Sequence, residues 1–236
     1  MLTPATLLFA LLGGILPALL WLFFWLREDR LHPEPRRFII YVFIAGMLTV
    51  PLALPLEQFA ATFSSGELMF IIWAATEEVL KFSAAYLIML RRREVDEPID
   101  AVLYMITVAL GFAALENVLF LMRPLEDGNV LVSIMTGNLR FFGATLLHTL
   151  ASAVIGLAIA LPFYRNPRLR RLTLICGLVL AIVLHTLFNF FILMNSGGKI
   201  LIVFAGVWVG IIILLLLFEK VKRVKRPQFI YLRNKK

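Results

Sequence analysis

The sequence contains few charged residues and a single cysteine. Of its 236 residues, 16% are charged and 61% are hydrophobic, and the mean hydropathy is +0.91. Soluble domains are normally about 25% charged, so this composition excludes an ordinary hydrated surface and predicts an integral membrane protein. The lone Cys176 excludes a disulfide within the chain. Because a spanning helix needs roughly 20 apolar residues, the chain has room for about seven or eight such helices and no separate soluble domain.

Several familiar catalytic signatures are also absent. No His-Glu-x-x-His sequence occurs, which argues against the usual zincin arrangement, and no Gly-x-Ser-Gly occurs to supply a rhomboid-like serine nucleophile. Glu-x-x-His is absent as well, which disfavours a di-iron carboxylate site. Asp100 lies at the edge of an apolar run without an aspartate partner, so a presenilin-type aspartyl pair is not expected. Glutamate, histidine and asparagine remain as candidates for the chemistry.

Uninterrupted apolar runs predict an all-α, polytopic transmembrane helix bundle with seven spans. The first run has no positively charged start and is too long for a signal peptide, so we expect a retained helix. The runs cover residues 4–26, 38–59, 68–90, 99–122, 140–163, 172–194 and 200–218.

The basic residues predict how these spans are oriented. Along the successive connections and the C-terminal tail, Lys and Arg number four, none, three, one, four, one and eight. This alternation predicts an N-terminus outside the cell and a C-terminus in the cytoplasm. We therefore expect a single transmembrane domain over residues 1–219 and a basic cytoplasmic tail over residues 220–236. Topology explains the excess of basic residues, so the expected partner is the lipid bilayer and not nucleic acid.

Polar side chains nevertheless occur inside the predicted spans, where a charge costs about 2.5–3.5 kcal/mol. Residues three or four apart share a helix face, which groups the third-span residues with each other and the sixth-span residues with each other. The estimated depths overlap from the midplane outward, so we expect one shared cavity that opens toward the outer side. The residues are Glu77, Glu78 and Lys81 in the third span, Glu116 and Asn117 in the fourth, Arg140 and His148 in the fifth, and His185 and Asn189 in the sixth.

Two neighbouring glutamates beside a lysine favour general-base chemistry. Lys81 can neutralise one carboxylate while the other accepts a proton. If Glu77 or Glu78 activates water while His185 and Asn189 stabilise an oxyanion, the site is that of a peptidase.

The other polar residues are expected to complete or support this cavity. Glu116 and His148 would complete it, and Asn117 and Arg140 would support it, although His148, Asn117 or Arg140 taken singly also fits a structural role. Near the predicted membrane interfaces, His32, Glu57 and Asp100 are expected to be solvated or anchoring groups. Whether a metal takes part stays open, with zinc as the candidate; its possible ligands are Glu78, Glu116, His148 and His185.

These motifs, in this order, resemble those of the PrsW intramembrane proteases, which are distant relatives of the CAAX-processing endopeptidases. Residues 29–35, Asp-Arg-Leu-His-Pro-Glu-Pro, are similar to the charged Glu-Pro loop of that family. Arg140, followed by His148 and Gly156, is similar to its fifth-helix pattern. Three further motifs match: Glu-Glu-x-x-Lys at residues 77–81, Phe-x-x-x-Glu at 112–116 and His-x-x-x-Asn at 185–189.

The resemblance implies hydrolysis of a peptide bond in a membrane-anchored protein by a multi-pass protein of a bacterial cytoplasmic membrane. In that family the activity is associated with site-1 cleavage of an anti-sigma factor on the outer face, and the family has been classed with metallopeptidases. CAAX specificity is not expected, because Glu116 stands where those relatives have histidine. Two alternatives from other classes remain, a proton-coupled transporter and a non-catalytic membrane scaffold.

Overall fold

The structure is a computed structural model that describes residues 3–28, 33–194 and 200–225. Within these ranges the chain forms eight α-helices and no strand, which confirms the all-α bundle. Residues 29–32 of the Glu-Pro loop and residues 226–236 of the basic tail lie outside the described residues. The helices are α1 (Pro4–Glu28), α2 (Arg36–Ala61), α3 (Gly66–Ala85), α4 (Pro98–Glu126), α5 (Val130–Leu139), α6 (Thr145–Ala160), α7 (Pro167–Met194) and α8 (Ile200–Val221).

Six spans in the described residues are long and apolar enough to cross a membrane: α1, α2, α4, the continuous α5–α6 segment, α7 and α8. The third predicted span, residues 68–90, corresponds to α3, which is not among these six; its 20 residues carry Glu67, Glu77, Glu78 and Lys81. This helix contacts α2, α4, α6 and α7, and Glu77, Glu78 and Lys81 are buried among the helices of the bundle, whereas Glu67 is exposed. Seven spans and their orientation therefore stay predictions.

The predicted bounds between the fourth and fifth spans, which were expected to end at residue 122 and to begin at residue 140, are wrong. Helix α4 continues to Glu126, and α5 begins at Val130 after Asn129, whose side-chain oxygen accepts a hydrogen bond from the Val132 amide at 3.1 Å. A π-helical turn at Arg140–Ala144 joins α5 to α6. The predicted fifth span starts at Arg140, but the helix begins ten residues earlier, and the Arg140 charge is paired with Glu116 inside the bundle and does not interrupt it.

Two polar contacts lie at one end of the bundle. The ends of α1 and α8 lie together there, and the Lys222 ammonium donates a hydrogen bond to Glu28 at 3.3 Å. Asp100 accepts backbone hydrogen bonds from Glu97 at 2.8 Å and Asp96 at 3.0 Å and caps α4. Asp100 was expected to be solvated or anchoring; it is only 1% exposed, so the solvated alternative is wrong, and its capping contacts fit the anchoring one.

Helix α4 is the central element of the bundle. Its residues from Pro98 to Ala114 are all buried, and α1, α2 and α6 pack around it. Glycine permits these close approaches. A Cβ on Gly46 of α2 would overlap the Val108 carbonyl oxygen, and one on Gly111 of α4 would overlap the Phe43 carbonyl oxygen. The α2–α4 interface therefore depends on a reciprocal pair of glycines.

Gly111→Ala is expected to destabilise the protein. The added methyl group would force α2 and α4 apart, and overpacking of this kind costs on the order of 1–3 kcal/mol. The measurement is the thermal unfolding temperature in detergent, followed by intrinsic fluorescence. Gly206→Ala is the matched control, because a Cβ there meets no described atom within 4 Å. Equal unfolding temperatures for the two variants would contradict the packing argument.

Candidate functional site

A largely apolar cavity of about 340 Å³ lies between α2, α3, α4, α6, α7 and the start of α8. Most of its lining side chains are apolar. The polar lining residues are Glu57, Glu77, Glu116, Arg140, His148, His185 and Asn189. The predicted shared cavity is thus present in the structure.

Behind this cavity, Glu78 and Lys81 form a fully buried ion pair. The Lys81 ammonium donates to Glu78 Oε1 at 2.6 Å, and both side chains are 0% exposed. Glu78 also accepts a hydrogen bond from His185 Nδ1 at 2.9 Å through Oε1 and one from Ser152 Oγ at 3.1 Å through Oε2. Three donors therefore surround Glu78, and it does not line the cavity.

His148 joins the two acidic motifs. Lys81 Nζ lies 3.0 Å from His148 Nδ1, and Glu116 Oε2 lies 2.9 Å from His148 Nε2. An ammonium group can only donate, so Nδ1 must accept, and Nε2 carries the proton that Glu116 accepts. The Phe112 ring covers this contact, with its centroid 4.4 Å from Lys81 Nζ and 5.2 Å from that of the His148 ring. The tautomer of His148 is therefore set by its neighbours.

Glu77 is the member of the glutamate pair that reaches the cavity. Its Oε2 lies 3.8 Å from His185 Nε2, 3.8 Å from His148 Nδ1 and 3.5 Å from Lys81 Nζ. The two imidazole rings meet edge to face, with centroids 4.9 Å apart. Glu77, His148 and His185 thus surround one point at the polar end of the cavity.

Arg140 closes one side of this cluster. Its guanidinium donates to Glu116 Oε2 and to Asn117 Oδ1, both at 2.5 Å, and stacks 4.0 Å from the Phe120 ring. The Asn117 amide in turn donates to Thr145 Oγ1 at 3.0 Å. Arg140 is the first residue of the π-helical turn, a feature that recurs at functional sites. Arg140 and Asn117 therefore hold Glu116 against His148.

One set of donors in this cluster fits a metal ion. Glu77, His148 and His185 each offer a ligand atom, and the three atoms lie within 4.8 Å of one another. Carboxylate oxygen and imidazole nitrogen are ligands that zinc prefers, and the outer nitrogens of both imidazoles already contact carboxylates, as in many metal sites. Lys81 would have to withdraw from Glu77 and His148 to admit an ion.

Each of the nine residues predicted from the sequence belongs to this cluster or lines its cavity. The residues that offer metal ligands, however, are not the four that were expected to do so. Glu78 and Glu116, expected as possible metal ligands, contact the outer nitrogens of the two histidines, and Glu77 takes the inner position. Asn189 lines the cavity on the same α7 face as His185.

The sequence interpretation missed Ser152 and the cavity position of Glu57. Ser152 follows His148 by four residues on α6, and that spacing places both on one helix face. This spacing could have identified Ser152.

The fold and this site define a polytopic helical membrane protein with a buried Glu-His-His centre suited to hydrolysis. Residues 34–217 match the model of a protein family described as "PrsW family intramembrane metalloprotease", so the chain belongs to that family. It is a PrsW-like intramembrane protease of a bacterial membrane.

Curated relatives cover most of the chain. Protease PrsW of Geobacillus kaustophilus (strain HTA426) is 27% identical over 220 residues, which are 92% of this chain and 91% of that protein. Protease PrsW of Shouchella clausii (strain KSM-K16) is 26% identical over 91% of this chain and 96% of its own length. Protease PrsW of Clostridioides difficile (strain 630) is 25% identical over 80% of this chain and 81% of its own length. No solved structure matches the chain.

Lys81→Met is expected to lower the free energy of unfolding by about 3–5 kcal/mol, because it leaves buried carboxylates without their cation. The double variant Lys81→Met/Glu78→Gln should lose less than the single variant, since it also removes one of those charges. The measurement is thermal unfolding in detergent.

Lys222→Met is the control for this comparison. Its partially exposed ion pairs with Glu219 and Glu28 should contribute less than about 1 kcal/mol. A double variant less stable than Lys81→Met alone would contradict the buried-pair interpretation.

Proposed function

We propose that the protein cleaves a peptide bond of a membrane-anchored protein with a water molecule that Glu77 activates. The position of Glu77 carries this proposal, because it is the carboxylate of the pair that lines the cavity, whereas three donors enclose Glu78. This assignment narrows the choice of general base, which the sequence leaves open between the two residues.

Hydrolysis at this site would proceed in two proton transfers. Glu77 Oε2 takes a proton from water as the water oxygen attacks the carbonyl carbon of the scissile bond. The Asn189 side-chain amide donates a hydrogen bond to the resulting oxyanion. As the C–N bond breaks, the Glu77 proton passes to the leaving amine. If His185 also carried a proton at Nε2, its imidazolium ring would be a second donor to the oxyanion. Glu78, beside Nδ1, would stabilise the positive charge of that imidazolium.

The remaining groups of the cluster hold this geometry. Lys81 keeps Glu78 ionised and in place, while Glu116 and Arg140 fix the orientation of His148. If a zinc ion takes part, Glu77, His148 and His185 are the residues that would hold it; Glu77 would then act as a ligand, and the ion would supply Lewis-acid polarisation of water and of the peptide carbonyl.

The expected substrate is a membrane-anchored protein, with an anti-sigma factor as the particular candidate. The apolar wall of the cavity suits a segment that leaves the bilayer, and the family supports proteolysis as the reaction class. The predicted orientation places the cavity toward the outer face of the membrane.

Glu77→Gln is expected to reduce cleavage at least 100-fold, because an amide cannot accept the proton. The assay is cleavage of a panel of single-pass membrane proteins by purified enzyme in liposomes. Glu67→Gln is the matched control, because Glu67 is an exposed acid in the first turn of the same helix. Retained cleavage by Glu77→Gln would overturn the base assignment, and cleavage by neither enzyme would favour transport or scaffolding.

A metal requirement predicts that purified protein binds about one zinc ion and that His185→Ala abolishes this binding. All variants would carry Cys176→Ser, which removes the exposed thiol as a competing ligand. Zinc content is measured by mass spectrometry of the metal, beside cleavage with a chelator and with zinc restored. Full cleavage by zinc-free protein would show that Glu77 acts without a metal.

A further inference from the structure

Glu57 is a carboxylate of the cavity that the proposed reaction does not use. It lies near the end of α2 and was expected to be a solvated or anchoring group, but it is half-buried and lines the same cavity as Glu77. Its carbonyl oxygen accepts a hydrogen bond from the Trp73 indole at 3.2 Å, which fixes α2 against α3 at this level. The Glu57 backbone therefore has a defined place in the cavity wall.

The charge of Glu57 is not balanced in the way that its neighbours' charges are. Glu78 is paired with Lys81, Glu116 with Arg140, and Glu77 lies within 3.5 Å of Lys81. Within the described ranges no basic side chain forms an ion pair or hydrogen bond with the Glu57 carboxylate. Around it the wall is apolar, with Leu54 and Trp73 among its members. A ligand cation would find an unpaired carboxylate there.

The helix positions give the difference in depth between Glu57 and Glu77. Glu57 lies four residues before the last residue of α2, and Glu77 lies eleven residues after the first residue of α3. The two helices are joined by a short turn at residues 62–65, so their outer ends are nearly level. At 1.5 Å per residue the backbones of the two residues differ in depth by about 10 Å, which an extended peptide covers with about three residues.

We propose that Glu57 forms a subsite for a basic side chain of the substrate, about three residues to the outer side of the scissile bond. The subsite rests on the proposed function, since it presumes that a peptide occupies the cavity. It assigns a substrate class, membrane-anchored chains with Lys or Arg just outside the cleavage position, and makes Glu57 a specificity-determining residue.

Charge exchange between enzyme and substrate tests the subsite. One cleaved single-pass protein, with its cleavage position mapped by mass spectrometry, is prepared with Lys, Gln or Glu three residues to the outer side. We expect the native enzyme to cleave the Lys substrate at least tenfold more efficiently than the Gln substrate, by kcat/KM. Glu57→Gln should remove this preference, and Glu57→Lys should favour the Glu substrate. Glu67→Gln, with its exposed acid, should keep the native preference.

Two results would overturn the subsite. One is a Lys preference that survives in Glu57→Gln, and the other is an equal loss for all three substrates, which would indicate a structural role. Binding keeps the test independent of turnover: in the Glu77→Gln background, labelled Lys and Gln peptides are compared by fluorescence anisotropy. Tighter binding of the Lys peptide that Glu57→Gln abolishes supports the subsite even if no cleavage is found, whereas equal binding of both peptides refutes it.

Discussion

The ion pair between Glu78 and Lys81 is the constraint on which the site depends. Removing two charges from water costs several kcal/mol for each ion, and a direct contact repays this only if the remaining polar atoms also find partners. Helix α3 cannot supply those partners alone. Ser152 of α6 and His185 of α7 bond to Glu78, and His148 of α6 bonds to Lys81. Satisfying one pair therefore requires three helices at fixed positions, and those positions create the Glu-His-His cluster.

One turn of α4 connects this polar centre to the packing of the bundle. Gly111 lies against the α2 backbone, while Phe112 covers Lys81 and Glu116 accepts from His148. Successive residues of an α-helix point about 100° apart, so a short segment can serve several neighbours at once. A shift of α4 relative to α2 would move Glu116 as well, which makes close helix packing a condition for the site's geometry.

The sequence predicted the fold class and the membership of the cluster, because charges in apolar spans are too costly to be incidental. Helical spacing correctly grouped Glu77 with Lys81 on one face. It could not predict which glutamate reaches the cavity, since that depends on how α3 is rotated against α6 and α7. For the same reason Glu57 was assigned to the interface: its depth was readable from the sequence, but the direction of its side chain was not. The predicted fifth span began at Arg140 and so missed α5, although Glu116 neutralises Arg140 within the bundle and the helix continues through it.

The absence of a local metal-binding motif follows from how the cluster is assembled. In His-Glu-x-x-His a single helix supplies two ligands and a base, whereas here Glu77, His148 and His185 come from three helices. Adjacent glutamates point in different directions on α3, so Glu77 faces the cavity while Glu78 holds the outer nitrogen of His185. Glu116 holds the outer nitrogen of His148, Nε2. As a result His148 turns Nδ1 toward Glu77, whereas His185 turns Nε2 toward it. Each histidine is thus held by a carboxylate from another helix, and the site's geometry is a property of tertiary packing that no single sequence motif could encode.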